Sequence, residues 1–299
     1  MSEYVDLAAA LERHHALGGW RELARAITAI ENEPPWRLEV PEAAAPIHCI
    51  GVTGPPGVGK STLVGQLIRS FSATERRVGV VAVDPSSPIT GGAILGDRIR
   101  MERYLADGSA FVRSIASRGS HGGLAVAAHR IVRMLEASGS FDVLILETVG
   151  AGQGDVNIAS FADTVMLVTI PGLGDTVQAL KAGYLEVADV VVINQADKGG
   201  AAEASRRLSE SLGHHVAVFQ TVATLGKGVD EVRESLDQRW LALGRDQISD
   251  IRHRGDVAEV TMLAEEMIRV SMTAVASDFT SIADGVDLVL EEARRRWRG

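Results

Sequence analysis

The feature that most constrains this chain is a series of short apolar runs, rich in valine and isoleucine, that alternate with helical segments. These runs lie at Ile47–Val52, Val78–Val83, Val143–Leu146, Val165–Ile170, Val190–Ile193 and Val216–Phe219. Segments with helical spacing of apolar residues separate several of them, at Ser61–Ser70, Leu124–Ala137 and Ala201–Leu212. Such alternation is typical of a mostly parallel sheet with helices on both faces. We therefore predict an α/β fold.

Helical segments flank this α/β region at both ends. Apolar residues recur with the helical period from about Val5 to Ile30, and Pro34 and Pro35 end that pattern. After Leu225 the remaining segments all have helical character: Val229–Leu243, Val257–Met272 and Ile282–Trp297. We predict an N-terminal helical extension over residues 1–45, a central α/β domain over 46–240 and a C-terminal helical segment over 241–299. The last has too few residues for a large core and should pack on the main domain or on another subunit.

Composition and charge exclude several classes of protein. The net charge of −9 does not favour binding to nucleic acid or to an anionic membrane, so any phosphate site must be local. No apolar run approaches the ~20 residues of a membrane span, and the N-terminus lacks the basic start of a signal peptide. The single cysteine, Cys49, excludes an internal disulfide framework. We expect a cytoplasmic protein.

A glycine-rich loop between the first predicted strand and the next helix carries the strongest motif. Residues Gly54–Ser61 match the pattern G-x-x-x-x-G-K-[ST]. Backbone N–H groups of such a loop and of the following helix bind phosphate oxygens. Lys60 would reach the β- and γ-phosphates, and the Ser61 hydroxyl could ligate Mg²⁺. The nucleotide-binding residues that we predict here are Gly57, Val58, Gly59, Lys60, Ser61 and Thr62.

A second motif follows the predicted strand Val190–Ile193 and indicates the base. Residues 194–197 spell Asn-Gln-Ala-Asp, where GTPases carry Asn-Lys-x-Asp. The Asp197 carboxylate can accept two hydrogen bonds from guanine, and adenine lacks that donor pair. We expect Asn194 to brace the neighbouring loops. Gln195 replaces a lysine whose stem covers the base, which puts nucleotide affinity in question but not base choice. Beyond the next strand we predict contacts from Val222 and from Ala223, whose N–H could meet the guanine O6.

Carboxylates at strand ends predict a magnesium site. Asp84 and Glu147 each follow an apolar strand, and ligands gather at the carboxyl edge of a parallel sheet. Asp97 lies in a glycine-rich loop, where the alternative role is to cap the helix Arg98–Leu105. Gly150 could give its N–H to the γ-phosphate and so report the nucleotide state. The predicted metal ligands are Ser61, Asp84, Asp97 and Glu147, and the predicted catalytic residues are Lys60, Asp97 and Glu147.

Further segments resemble the MeaB/ArgK-type GTPases, the chaperones of methylmalonyl-CoA mutase and related enzymes. The resemblance lies in Val83–Ser87, Thr90–Arg98, Glu147–Gly150, the leading helix Leu23–Thr28 and an extra switch loop at Pro171–Lys181. It covers about Arg21 to Gly228, with departures at Gln195, Pro88 and Ile89.

This resemblance implies a P-loop GTPase fold with a parallel sheet flanked by helices. It implies slow conversion of GTP to GDP and phosphate with Mg²⁺, stimulated by an adenosylcobalamin-dependent acyl-CoA mutase. It also implies gating of cofactor delivery or release of damaged cofactor, and a homodimer formed through the C-terminal helices. Carried over from the family, Lys60, Asp84, Asp97 and Glu147 match the nucleotide and magnesium site, and Gln153 lies in the second switch.

Three alternatives stay open on the residues alone. A GTPase that inserts nickel or another metal would carry histidine-rich tracts or Cys-x-x-Cys. The histidine pairs His14–His15 and His214–His215 lack cysteine partners and favour structural roles. A kinase of transport proteins would need ATP, against which Asp197 argues. A nucleotide-locked scaffold would not need the predicted catalytic carboxylates.

Overall fold

The computed structural model describes residues 6–84, 110–116, 121–148, 158–172, 184–212, 216–276 and 281–298. Within these ranges one sheet contains strands β1 His48–Thr53, β2 Val78–Asp84, β3 Ala110–Ala116, β4 Val143–Glu147, β5 Thr164–Thr169, β6 Val190–Ile193 and β7 Ala217–Gln220. The helices are α1 Leu7–Leu17, α2 Arg21–Asn32, α3 Lys60–Ser72, α4 His121–Ala137, α5 Ile158–Phe161, α6 Tyr184–Val187, α7 Ala201–Leu212, α8 Val229–Ala242, α9 Arg245–Val275 and α10 Ile282–Arg298. Short 3-10 helices lie at Pro35–Arg37 and Ala223–Leu225.

The strands of this sheet run parallel in the order β3-β2-β4-β1-β5-β6-β7. This confirms the predicted α/β fold. Strand β1 lies between β4 and β5. The strands β2, β3 and β4 lie on one side of β1 and the later strands β5, β6 and β7 lie on the other, so the strand order reverses at β1. In open parallel sheets, such a point opens a crevice at the carboxyl ends of the strands, where ligands bind.

Both faces of the sheet are covered, as the continuous apolar strands predict. Cys49 of β1 points into a core that it shares with α2 and α4, whereas Ile50 and Val52 point into a second core. Leu63 of α3 and Val232 of α8 belong to that second core. The strand β1 is therefore buried on both sides, which fixes the position of the loop that follows it.

The structure differs from the sequence prediction in three elements. Strand β3 was not predicted: it lies at the edge of the sheet, and its central residues 112–114 are only partly buried, so the apolar run is interrupted. The N-terminal helical segment is divided into α1 and α2, because Gly18 and Gly19 adopt left-handed φ angles of 67° and 75°. Helix α9 is 31 residues long and begins before the predicted segment Val257–Met272.

Helix α9 packs on the main domain, which confirms one of the two expected placements of the C-terminal block. The Arg252 guanidinium donates to Glu136 Oε1 at 2.9 Å, to Asp163 Oδ2 at 3.0 Å and to the Ile47 carbonyl at 3.0 Å. These groups lie at the amino edge of the sheet, opposite the crevice. The domain boundaries at 45 and 240 stay predictions.

A second ion-pair cluster lies further along α9. Glu259 accepts hydrogen bonds from Arg130 Nε at 2.8 Å and from His129 Nδ1 at 2.6 Å. Burial alone would raise the pKa of Glu259, but the two hydrogen bonds bring it down to about 2. Between the clusters, Gly255 lies against α5, since a Cβ there would be 2.8 Å from the Ser160 carbonyl oxygen.

Across the described ranges, no helix combines the length and apolar character that a bilayer crossing requires.

Candidate functional site

The glycine-rich loop leaves β1 at Gly54 and enters α3 at Lys60. Gly54 has a φ of 140°, and a Cβ there would lie 2.0 Å from the Val168 carbonyl oxygen on β5. Gly59 has a φ of 92°, and a Cβ there would lie 2.5 Å from Asn194 Nδ2. Both positions require glycine because of this close approach and the left-handed backbone. The turn that they form directs the N-terminus of α3, with its N–H groups, toward the loop.

The Lys60 side chain folds back over this loop. Its Nζ donates to the carbonyl oxygens of Gly54 at 2.8 Å and Pro55 at 3.2 Å, and the residue is only 7% exposed. The ammonium is therefore held inside the loop. Together with the start of α3, it gives the loop the positive charge that a phosphate group needs.

Ser61 and Glu147 bring the phosphate loop and β4 together. The Ser61 hydroxyl donates to Glu147 Oε1 at 2.7 Å, and Glu147 lies beside Val52 of β1 in the sheet register. This confirms the prediction that Glu147 lies close to the Ser61 hydroxyl. Both side chains offer oxygen atoms, the ligand type that Mg²⁺ prefers, so the pair fits that ion.

The other predicted metal ligands are described only in part. Asp84 ends β2 at the same edge of the sheet, two positions beyond the pair Ala82 and Glu147, but its side chain is outside the described part of the structure. Asp97 and Gly150, like Gln153, also lie outside the described residues. Among the side chains that the structure does describe, no group of three or more His, Cys, Asp and Glu residues could hold a metal ion.

Asn194 ties three loops together at the end of β6. Its Nδ2 donates to the Val58 carbonyl at 2.9 Å, and its Oδ1 accepts from Thr221 Oγ1 at 3.1 Å and from the Ala223 N–H at 3.0 Å. The expected bracing role is confirmed. The Ala223 contact differs from the expectation, because the N–H that we predicted for the guanine O6 is already bound to Asn194. Asp197, three residues on, is exposed to solvent.

The histidine pair at the N-terminus is structural, as predicted. His14 Nε2 lies 2.8 Å from Ser140 Oγ, and His15 Nε2 lies 2.8 Å from the Ser138 carbonyl oxygen. These contacts attach α1 to the turn before β4. The second pair, His214–His215, lies outside the described residues.

Comparison with known proteins identifies the family. Residues 23–277 match the family model of the methylmalonyl Co-A mutase-associated GTPase MeaB. The chain belongs to the MeaB family. A putative GTPase of Pyrococcus horikoshii is 40% identical over 92% of this chain and 95% of its own. The GTPase ArgK of Escherichia coli is 33% identical over 82% of this chain and 80% of its own.

A solved structure supports the fold of this MeaB-family chain. A protein described as a LAO/AO transport system kinase superposes with a TM-score of 0.66 at 24% identity, over 96% of this chain and 97% of that one. The mouse mitochondrial methylmalonic aciduria type A homolog is 37% identical over 50% of this chain and 35% of its own. The chain is thus a GTPase of the MeaB family with the P-loop GTPase fold.

Sequence reasoning missed the residues that attach α9 to the core of this MeaB-family protein. Arg252 and Glu259 have the appearance of ordinary surface charges on a helix, because their partners are distant in the chain. The one available signal is Gly255, a glycine in the middle of a helical segment, which indicates a close contact or a functional constraint.

Proposed function

We propose that this protein binds GTP with Mg²⁺ in the crevice at the end of β1, hydrolyses it, and gates the loading or repair of adenosylcobalamin in an acyl-CoA mutase. The contact between Ser61 and Glu147 is the observation that most supports the nucleotide site. It joins the phosphate loop to the strand that enters the second switch, directly beside the buried Lys60. GTPases need this junction because the same oxygen ligands hold the metal and respond to the γ-phosphate.

In this proposal the loop binds the phosphates and Lys60 supplies the nearest cation to the β- and γ-oxygens. Bound Mg²⁺ would neutralise charge on the same oxygens. Ser61 can offer an oxygen lone pair to the metal while it still donates its hydroxyl proton in the hydrogen bond to Glu147, so the observed hydrogen bond would hold the hydroxyl in the required orientation. Asp84 and Asp97 are proposed as further metal-directed carboxylates, and Gly150 as the γ-phosphate contact.

Base selection is proposed to rest on Asp197. Its exposed carboxylate can take the N1–H and the exocyclic amine of guanine, and ATP would leave it without those donors. Asn194 connects this loop to Val58 in the phosphate loop, so base and phosphate contacts come from one hydrogen-bonded unit. Val222 and Ala223 would close the opposite side of the base.

The proposed partner is an adenosylcobalamin-dependent acyl-CoA mutase, and the support is membership of a family described as mutase-associated. The loop Pro171–Lys181 is proposed to contact the mutase, and the C-terminal helices α9 and α10 to form a homodimer in the cytoplasm. Residues 173–183, which include most of this loop, lie outside the described residues.

The deciding experiment measures hydrolysis of GTP and of ATP by the full chain, with Mg²⁺, with and without a candidate mutase. We expect slow GTP turnover that the mutase accelerates, and little ATP turnover. Consumption of ATP with transfer to a protein acceptor would instead favour a transport kinase. Binding without turnover would favour a scaffold, and GTP turnover that responds to no mutase would remove the chaperone role.

A further inference from the structure

The inference concerns Gln195 and rests on the proposed function. We propose that Gln195 is a positioning residue that shortens the residence time of bound GDP. It would do so by placing a weakly bonded neutral amide on the phosphate loop, where a longer cationic side chain would strengthen the site.

Two consecutive residues after β6 contact consecutive residues of the phosphate loop. Asn194 Nδ2 donates to the Val58 carbonyl at 2.9 Å, and Gln195 Nε2 reaches toward the Gly57 carbonyl at 3.4 Å. The first is a normal hydrogen bond, whereas the second is longer than the 2.7–3.2 Å that is usual for N–H···O bonds. The Gln195 side chain therefore lies on the loop but holds it only weakly.

The rest of the Gln195 amide contributes no compensating contact. Its Oε1 is buried and has no hydrogen-bond partner among the described residues. A buried acceptor without a partner costs free energy, because it has lost water and gained nothing in return. The amide thus combines an unsatisfied acceptor with a weak donor contact to the loop.

The backbone at this position is also unusual. Gln195 has a φ of 56°, which places a residue with a side chain in the left-handed region that favours glycine. Such conformations persist where the surrounding structure enforces them, and they gather at ligand sites. In this conformation the Gln195 amide lies at the Gly57 carbonyl, in a contact that is exposed to solvent.

A lysine, whose side chain is longer by one atom, would behave differently in the same place. Its ammonium carries three donors and a positive charge, and hydrogen bonds to charged groups contribute more than neutral ones. Lys60 already serves the carbonyls of Gly54 and Pro55 at the start of the loop, which leaves the Gly57 end to residue 195. A second cation there would strengthen both the loop and its hold on phosphate.

The test measures GDP release from the full-length chain, loaded with a fluorescent GDP analogue and Mg²⁺ and chased with unlabelled GDP. Gln195→Lys should slow release by about 10–100-fold, the difference between a charged and a weak neutral contact. Gln195→Met, which keeps the length but has neither charge nor amide, should release GDP no more slowly than the wild type. Lys198→Met, a charge change at an exposed residue of the same loop, should alter the rate less than about twofold.

Salt gives a readout that a purely structural effect would not change. The slower release of Gln195→Lys should diminish at high ionic strength, because added salt screens the new ammonium. The inference is overturned if Gln195→Lys releases GDP as fast as the wild type, or if Gln195→Met slows release equally. A wild-type protein that binds no GDP or GTP would overturn the proposed function itself. That outcome is distinct from an unchanged rate of GDP release in Gln195→Lys, which would overturn only the inference about Gln195.

Discussion

Replacing Arg252 by methionine is the change with the largest expected effect on stability. Methionine preserves the apolar stem but leaves Asp163 and Glu136 without their shared cation. The Asp163 side chain is 0% exposed, the Glu136 side chain 9% and the Arg252 side chain 25%, so this ion-pair cluster is largely buried. Removing one partner of a buried ion pair costs about 3–5 kcal/mol. We expect a loss in that range for Arg252→Met near neutral pH.

The loss of stability in Arg252→Met should depend on pH, and the pKa of Asp163 determines the direction of that dependence. Burial raises the pKa of Asp163 from its ordinary value of 3.8 to about 6, even though Arg252 lowers it. The folded protein therefore binds more protons than the unfolded chain between these values, so this group's contribution to stability falls as pH rises from about 4 to about 6. Without Arg252 the pKa rises further, and the variant should lose most stability, relative to the wild type, above pH ~6.

The assay is urea unfolding of both proteins at about pH 5 and about pH 8, the two sides of this transition. Arg206→Met is the matched control, since Arg206 pairs with Glu203 and Glu210 on the exposed surface of α7. Exposed pairs contribute at most about 1 kcal/mol, so this variant should change little at either pH. A loss for Arg252→Met below ~1 kcal/mol, or an equal loss at both pH values, would refute the reasoning.

The remaining predictions concern the nucleotide site and the partner. GDP should bind at least ~100-fold more tightly than ADP in calorimetry, and Asp197→Ala should remove most of that difference; equal affinities in the wild type would exclude guanine selection. Lys60→Ala should lower GTP turnover by ~10²–10³, because the γ-phosphoryl charge loses its nearest cation; near-normal turnover would contradict a catalytic phosphate loop. Glu147→Gln should raise the Mg²⁺ concentration needed for half-maximal turnover by about tenfold or more, and an unchanged requirement would remove it from the metal site. Asp175→Ala or Lys181→Ala should weaken stimulation by a cognate mutase more than it changes intrinsic turnover; equal stimulation in both variants would exclude the loop from the mechanism.

The parts of this structure that the sequence predicts are those with a local signal. The apolar runs predict the central strands because both faces of a parallel sheet are buried. The proximity of Ser61 and Glu147 follows from the same topology, since Glu147 ends β4, Ser61 lies in the first turn of the helix after β1, and the carboxyl ends of these two strands meet at one edge. The sequence predicts Asn194 as a brace because its motif has a fixed place after a late strand.

The parts that the sequence does not predict depend on tertiary position. Strand β3 contains the polar residues Arg113 and Ser114. They can occupy this strand because it lies at the edge of the sheet, where they are only partly buried. The sequence predicts that the Ala223 N–H binds guanine, because it does not show that Asn194 Oδ1 lies within reach of this N–H. The charges of α9 have the spacing of a solvated helix face, and their burial results from packing against α4 and α5.

The Arg252 contacts also have a consequence for the order in which the chain can complete its fold. Asp163 precedes Arg252 by 89 residues, and Glu136 precedes it by 116. At ribosomal rates of about 5–20 residues per second, these two carboxylates emerge roughly 5–20 s before Arg252, which pairs with both of them. The nascent amino edge of the sheet should therefore stay protease-sensitive until the start of α9 has left the exit tunnel. Ribosome-bound chains stalled before and after that point would show a step in protection, and a gradual change would mean that the central strands close without α9.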